Sequence, residues 1–371
     1  MNHIKALDSI RAFALFGVIV SHWLIGTPWL SVFNPGQLGV NTFFVLSGFL
    51  ITGILFRNRE KAEMEGNSKK AVIKNFFVRR SLRIFPIYYL TIFTFLVFEA
   101  ATNTHIKESF IYFLTYTSNF YFYKKQAFDG MISHLWSLAV EEQFYLIWPW
   151  VILFIPRNYL LSSIMAFIGI GIFSEYMLCD NNYTDLSYML PFTSFASFGL
   201  GALLSFILVF HKNHLPNAYR TLSILAVICS VLLIGFTTRG YPLLLPIRTV
   251  HSLLALWFIA HIVLRQERKQ SQLWILDNQT LVFIGKISYG MYLFHVPLGY
   301  GYPYLDKYIN SMLPSFISSS HHYSKFVFVE NFILLIMLSW GSWVLLERPI
   351  LKLKKYFEYQ GPESARLSVV C

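Results

Sequence analysis

The chain has 371 residues, of which 55% are hydrophobic, 18% aromatic and only 13% charged. A soluble domain carries about 25% charged residues, so this composition excludes an ordinary water-soluble globule. The net charge of +11 raises nucleic acid as a partner, but the Lys and Arg residues cluster between long apolar runs, which assigns them to membrane topology and leaves no nucleic-acid role.

Windows of about 20 mostly apolar residues predict ten membrane spans, at 8–28, 39–56, 83–100, 137–155, 159–179, 187–210, 220–237, 248–264, 281–299 and 327–346. The first run continues through "SHWLIG" without a small-residue cleavage site, so it reads as a retained span and not a signal peptide. With both termini inside, all but seven of the 30 Lys and Arg fall on the inner side; the exceptions are Lys107, Lys124, Lys125, Arg239, Arg248, Lys307 and Lys325. That bias is the positive-inside rule. The expected architecture is an all-α integral membrane bundle of about ten transmembrane helices, N-in and C-in, over residues 1–355, with a short cytoplasmic tail over 356–371. Cys179, Cys229 and Cys371 are scattered without a CxxC pair, and His321 and His322 are adjacent in the outer 300–326 stretch. Neither set has metal-ligand spacing, so no metal is expected.

The polar residues inside the spans carry the chemistry, because ionisable groups in hydrocarbon are costly and face the bundle interior or a water-filled path. In the first span, Arg11 and His22 are eleven residues apart, which puts them on one helix face about 16 Å apart along the axis. Taken alone, Arg11 reads as a snorkelling anchor and His22 as a core histidine bonded to a neighbouring helix. In the second span, Gly39, Gly48 and Gly53 permit close helix approach, and Asn41 and Ser47 read as packing partners. Arg79, Arg80 and Arg83 stand at the inner end of the third span, where they anchor topology or form a bidentate clamp for phosphates.

The fourth span holds Glu141 and Glu142, adjacent and about a turn below the outer surface, with His134, Trp136 and Ser137 just above. Packing does not explain two carboxylates there, and at least one must pair with a cation or stay protonated. In the ninth span, Ser288, Tyr289, Tyr292 and His295 either bridge helices or contribute to a site at the height of His22. An arginine cluster at the cytoplasmic rim and a His/Glu set in the outer half, joined by a column of about 16 Å, suit a phosphate-bearing donor with a long thin arm.

At these residues the sequence resembles the acyltransferase family 3 membrane proteins, the bacterial O-acyltransferases of surface glycans. "LDSIRAFALFGVIVSH" is similar to the family's Arg-x10-His signature, on Arg11 and His22. "GVNTFFVLSGFLIT" matches the second-span motif, "RRSLRIFPIYY" the Arg-x-x-Arg motif on Arg80 and Arg83, and "HLWSLAVEEQFYLIWP" the Ser/Glu motif. "ISYGMYLFH" and "ERP", from Glu347 to Pro349, are typical of the last spans. Two departures are Ser9 where the family has Gly, and Asn41 where it often has Asp, which removes acid chemistry from that position. The chain resembles the stand-alone form without an extracytoplasmic esterase-like domain.

The resemblance implies a multi-pass protein of the bacterial inner (cytoplasmic) membrane that transfers an acyl group, commonly acetyl from acetyl-CoA, to a carbohydrate hydroxyl. Arg11, Arg80 and Arg83 are then expected to hold the CoA phosphates. His22 is expected to act as general base or, as the lesser alternative, as a transient acyl carrier. Glu141 or Glu142 is expected to orient His22 as the acid of a triad, and Ser137, His134, Tyr292 and His295 to contact the substrate. Lipopolysaccharide, exopolysaccharide, peptidoglycan and small glycosylated metabolites all remain open as acceptors. Two other function classes fit the same residues. A transporter or glycan flippase would use the polar column as a path, and a non-catalytic sensor would use the arginines to bind anionic lipid.

Overall fold

The structure is a computed structural model that describes residues 4–24, 34–102, 106–128, 130–179, 186–239, 246–312 and 324–357. The described residues contain no strand. Ten long helices follow one another: α1 (Lys5–Trp23), α2 (Pro35–Glu65), α3 (Lys69–Val97), α4 (Trp136–Phe154), α5 (Arg157–Leu178), α6 (Phe195–Phe210), α7 (Leu215–Arg239), α8 (Ile247–Glu267), α9 (Gln279–Met312) and α10 (Ser324–Ser342). Each coincides with one predicted span. Among the described residues, nine helices are long and apolar enough to cross a membrane. The tenth, α4, has 19 residues, about 28 Å of helix, but the run Glu141, Glu142, Gln143 lowers its hydropathy.

Several helix bounds differ from the predicted spans for identifiable reasons. Apolar windows find only the part of a helix that lies in hydrocarbon, whereas α2 and α3 extend well past it as a polar hairpin. Asn34 accepts from the Gln37 amide at the start of α2, Gly66 closes that helix with a φ of +69°, and Ser68 caps the next. This hairpin takes up most of the 57–82 segment predicted to be an inner loop, so Arg80 and Arg83 stand about three to four turns into α3 and not at its end. Arg59, buried on the hairpin, donates to the Ile152 and Ile155 carbonyls at 2.7 Å each. It thereby caps the C-terminus of α4, whose last carbonyls lack helical partners. Arg79 donates to the Lys354 carbonyl at 2.9 Å, which makes it a tether for the chain after α10. His321, His322 and residues 358–371 lie outside the described residues.

The bundle is held by small-residue contacts, the usual device where lipid removes the hydrophobic drive between helices. On α2, a Cβ at Gly48 would lie 2.0 Å from the Phe198 carbonyl oxygen, and on α6 a Cβ at Gly201 would lie 2.0 Å from the Val45 oxygen. These reciprocal contacts lock α2 against α6 backbone to backbone. Phe144 of α4 stacks on Phe198 at 4.1 Å, which sets α4 against the same pair. Gly285 of α9 meets the Asp8 carbonyl in the same close manner, so α1 and α9 cross at the level of Asp8 and Arg11. Ser9 adds a hydrogen bond to the Leu276 carbonyl at 2.7 Å, giving the serine at this position a packing role.

At the N-terminal end of α8 a second polar knot forms. Glu175 of α5 accepts from the Arg248 backbone amide at 2.8 Å and from Thr249 Oγ1 at 2.9 Å. The Arg248 guanidinium donates to Thr193 Oγ1 at 2.9 Å, to Ser194 Oγ at 2.6 Å and to the Tyr188 carbonyl at 2.8 Å. Both side chains are buried, at 1% exposure each. Arg248, counted above as a loop charge, is a buried joint between α5, α6 and α8.

Candidate active site

A cavity of about 220 Å³ lies where α1, α2, α3, α4 and α9 converge. Arg11, Arg80 and Arg83 line it together with Glu141, Glu142, Ser137 and Tyr292. Helical period explains the convergence. Ser137, Glu141 and Tyr145 recur at i, i+4 and i+8 on one face of α4, and Ser288 and Tyr292 do so on α9. Arg80 and Arg83, three apart on α3, face the same space.

The cationic part of the cavity is built with different partners for each arginine. Arg11 Nη1 lies 2.5 Å from Asp8 Oδ1 one turn earlier, and Asp8 is buried. Arg80 lies over the Tyr145 ring at 4.9 Å. Arg83 is within electrostatic reach of both Arg11 and Arg80. Among the described residues neither Arg80 nor Arg83 is held in an ion pair, so both guanidinium forks keep donors for an added anion. Tyr289 fixes the edge of this region by donating to the Ile84 carbonyl at 2.9 Å.

The carboxylates sit between the arginines and the far end. Glu141 accepts short hydrogen bonds from Ser47 and Tyr145. Glu142 lies at the cavity wall with Oε1 buried and, among the described residues, without a hydrogen-bond partner. At the far end, Ser137 Oγ and the Tyr292 hydroxyl are 2.5 Å apart, and Tyr292 donates to the His134 carbonyl at 3.0 Å. Behind that hydroxyl pair three imidazoles follow. His134 and His295 have ring centres 4.9 Å apart, and His295 and His22 are 5.1 Å apart. His295 is fully buried, with Nδ1 2.7 Å from the Tyr292 carbonyl. A carbonyl only accepts, so Nδ1 carries the proton and Nε2 presents a bare lone pair. His22, in the last turn of α1, is exposed and meets the His295 ring in a T-shaped contact. Among the described residues, no group of three His, Cys, Asp or Glu side chains is placed to hold a metal ion.

A family model described as an acyltransferase domain matches residues 4–347, nearly the whole chain. The chain belongs to the acyltransferase 3 family. It is similar to the O-acetyltransferase OatA of Staphylococcus aureus (strain NCTC 8325 / PS 47), 28% identical over 95% of this chain and 58% of OatA. It is also similar to a protein of S. aureus (strain COL) provisionally named an O-acetyltransferase, 29% identical over 85% of this chain and 54% of that protein. The chain therefore spans little more than half the length of the curated relatives it matches. No solved structure matches it significantly.

For this acyltransferase-family chain, the structure brings Arg11, Arg80, Arg83, Glu141, Glu142, Ser137 and Tyr292 to one cavity. It sets His22, His134 and His295 behind the Ser137–Tyr292 pair. Two expectations are corrected. The carboxylate that was to orient His22 is not its neighbour: Glu141 is bonded to Ser47 and Tyr145, and the ring against His22 is that of His295. The column expected to reach His22 is not the cavity found, whose lining includes Ser137 and Tyr292 but not His22. Adjacency in sequence and a common helix face fixed neither point, since both depend on how α4 is rotated against α9. Ser47, read above as packing, lines the cavity. Asp8 and Tyr145 were missed, although Asp8 stands three residues before Arg11 and Tyr145 four after Glu141, both contact spacings on a helix.

Proposed function

We propose that this chain is a membrane O-acyltransferase that moves an acyl group, acetyl, from acyl-CoA on the cytoplasmic side to a hydroxyl of a surface or secreted carbohydrate. The observation that supports it most is the single cavity with three guanidiniums at one end and a hydroxyl pair backed by imidazoles at the other. Phosphates of the donor bind Arg80 and Arg83, with Arg11 oriented by Asp8 as the third contact. The pantetheine arm, which carries two amide N–H groups, runs past Glu141 and Glu142, whose oxygens accept from them.

The thioester carbonyl then lies against Ser137 and Tyr292, whose hydroxyls donate to the developing oxyanion. The acceptor hydroxyl approaches from the exposed side of His22. His22 takes its proton, the freed oxygen bonds to the thioester carbon, the carbon–sulfur bond breaks, and the proton returns with the CoA thiolate. His295 is a positioning residue that supports the His22 ring, in the place the triad expectation gave to a carboxylate. For donor and acceptor to meet, the Tyr292 side chain must swing from the His134 carbonyl, which costs about one neutral hydrogen bond.

The test is consumption of acetyl-CoA by the purified full chain in detergent when a surface-glycan mixture is added, for wild type and His22→Ala. Turnover dependent on the glycan, falling about 10²–10⁴-fold in the variant, is the expected result. Turnover unchanged in a folded His22→Ala protein removes His22 as the base. Absence of any acetyl-CoA consumption, with glycan transport instead, returns the chain to the flippase reading.

A further inference from the structure

On the face of α1 away from the arginines lies a second, larger recess of about 930 Å³, bounded by α1, α2, α7, α8 and the stretch Leu273–Leu276. We propose that it is a binding site for one acyl chain of an anionic phospholipid, whose phosphate is held by Arg268 and Lys269. The walls are hydrocarbon, with Phe13, Leu38, Val227, Val231, Ile234 and Phe258 among the lining side chains. The few hydroxyls are already committed. Ser223 donates to the Tyr219 carbonyl at 2.9 Å and accepts from Trp257 Nε1 at 3.0 Å. Ser230 donates to Ala226 and Thr42 to Leu38, both at 2.8 Å. A recess of this size with no free polar group does not hold water, which needs two to four partners.

Length and ends define the occupant. The lining positions on α7 run from Ser223 to Ile234, about 16 Å of helix. That is the hydrocarbon depth of one leaflet, half of about 30 Å, so the recess takes a single chain entering from one side. At one end Leu273, Ile275 and Leu276 close it, and Trp274 between them is 82% exposed. Tryptophan in that position marks the headgroup level of a bilayer. The stretch is tied back by Arg265 Nε donating to the Ser271 carbonyl at 2.7 Å. Arg268 and Lys269, both exposed, belong to the same connection between α8 and α9, five and four residues before Leu273. The phosphate is assigned to these two cations because the chain joins them directly to the stretch that closes the recess, whereas Lys212 is already paired with Glu267.

Trp257 lines the recess and reports its occupancy. The full chain in detergent is titrated with phosphatidylglycerol or phosphatidylcholine carrying brominated acyl chains, and the quenching lost in Trp257→Phe is taken as the signal. The expected result is quenching that saturates at one phosphatidylglycerol per protein. The Arg268→Gln/Lys269→Gln double variant, which alters only exposed side chains, should weaken that binding about 10- to 30-fold. Native mass spectrometry of the same samples should show one retained phosphatidylglycerol in wild type and none in the double variant. Quenching that rises with bulk lipid without saturating, equal affinity for the two phospholipids, or an unchanged double variant would each overturn the assignment.

Discussion

Removing one guanidinium from the cavity gives the sharpest quantitative expectation. Arg83 is free of ion pairs among the described residues and lies within electrostatic reach of Arg11 and Arg80, so Arg83→Ala breaks no ion pair and relieves repulsion between like charges, while removing one cation within reach of the buried Asp8 and Glu347. In the proposed mechanism it removes a charged hydrogen-bond pair to a donor phosphate, worth about 1.5–3 kcal/mol. Since 1.4 kcal/mol is tenfold, KM for acetyl-CoA should rise about 10- to 150-fold. The contact is equally present before and during transfer, so kcat should change little. Acetyl-pantetheine carries no phosphate and supplies the control. It should be a poor donor for wild type and no poorer for Arg83→Ala, so the advantage of acetyl-CoA over acetyl-pantetheine shrinks by the same factor in the variant. Steady-state kinetics of acetyl transfer in proteoliposomes measure all four values. Equal losses for both thioesters would mean that Arg83 shapes the cavity and does not contact phosphate.

Tyr292→Phe deletes the hydroxyl bonded to Ser137 and the His134 carbonyl, the oxyanion donor of the proposed mechanism; kcat should fall about 10²–10³-fold, the usual loss for one such donor, with KM for acetyl-CoA unchanged. Glu175→Ala deletes the buried charged acceptor of the Arg248 amide and the Thr249 hydroxyl and should destabilise the chain by about 3–5 kcal/mol, read as a lower midpoint of thermal unfolding in detergent. None of its atoms lines the cavity, so the surviving folded fraction should keep the wild-type KM. Gly48→Leu drives a side chain into the Phe198 carbonyl and should abolish assembly, seen as loss of a monodisperse peak in size-exclusion chromatography.

The spans were legible because hydrocarbon imposes a length and a composition on every helix that crosses it, and each predicted span falls on one of α1 to α10. The helix ends were not, because the extensions of α2 and α3 are held by caps at Asn34, Gly66 and Ser68 and by the Arg59 contacts to α4, not by apolar content. Within the site, the common face of Arg11 and His22 and the clustering of Arg80 with Arg83 and of Ser137 with Glu141 and Glu142 were legible from spacing. Which face meets which depended on the Gly48–Phe198 and Gly285–Asp8 contacts, which set rotation and depth. For that reason His295 and not Glu141 turned out to be the neighbour of His22. Arg248 is the same lesson in reverse: a charge near a span end looks like a topology marker, and only the fold brings Thr193, Ser194 and Tyr188 around it.

The sidedness of the reaction is the most direct test. Proteoliposomes are prepared with the chain in one orientation, set by protease access to an engineered C-terminal tag, with labelled acetyl-CoA supplied to one face and the glycan acceptor to the other. Label should reach the acceptor only when acetyl-CoA is on the face carrying Arg80 and Arg83 and the acceptor on the face of His22. Label transferred only when donor and acceptor share a face would contradict a site that is entered by its two substrates from opposite sides of the membrane.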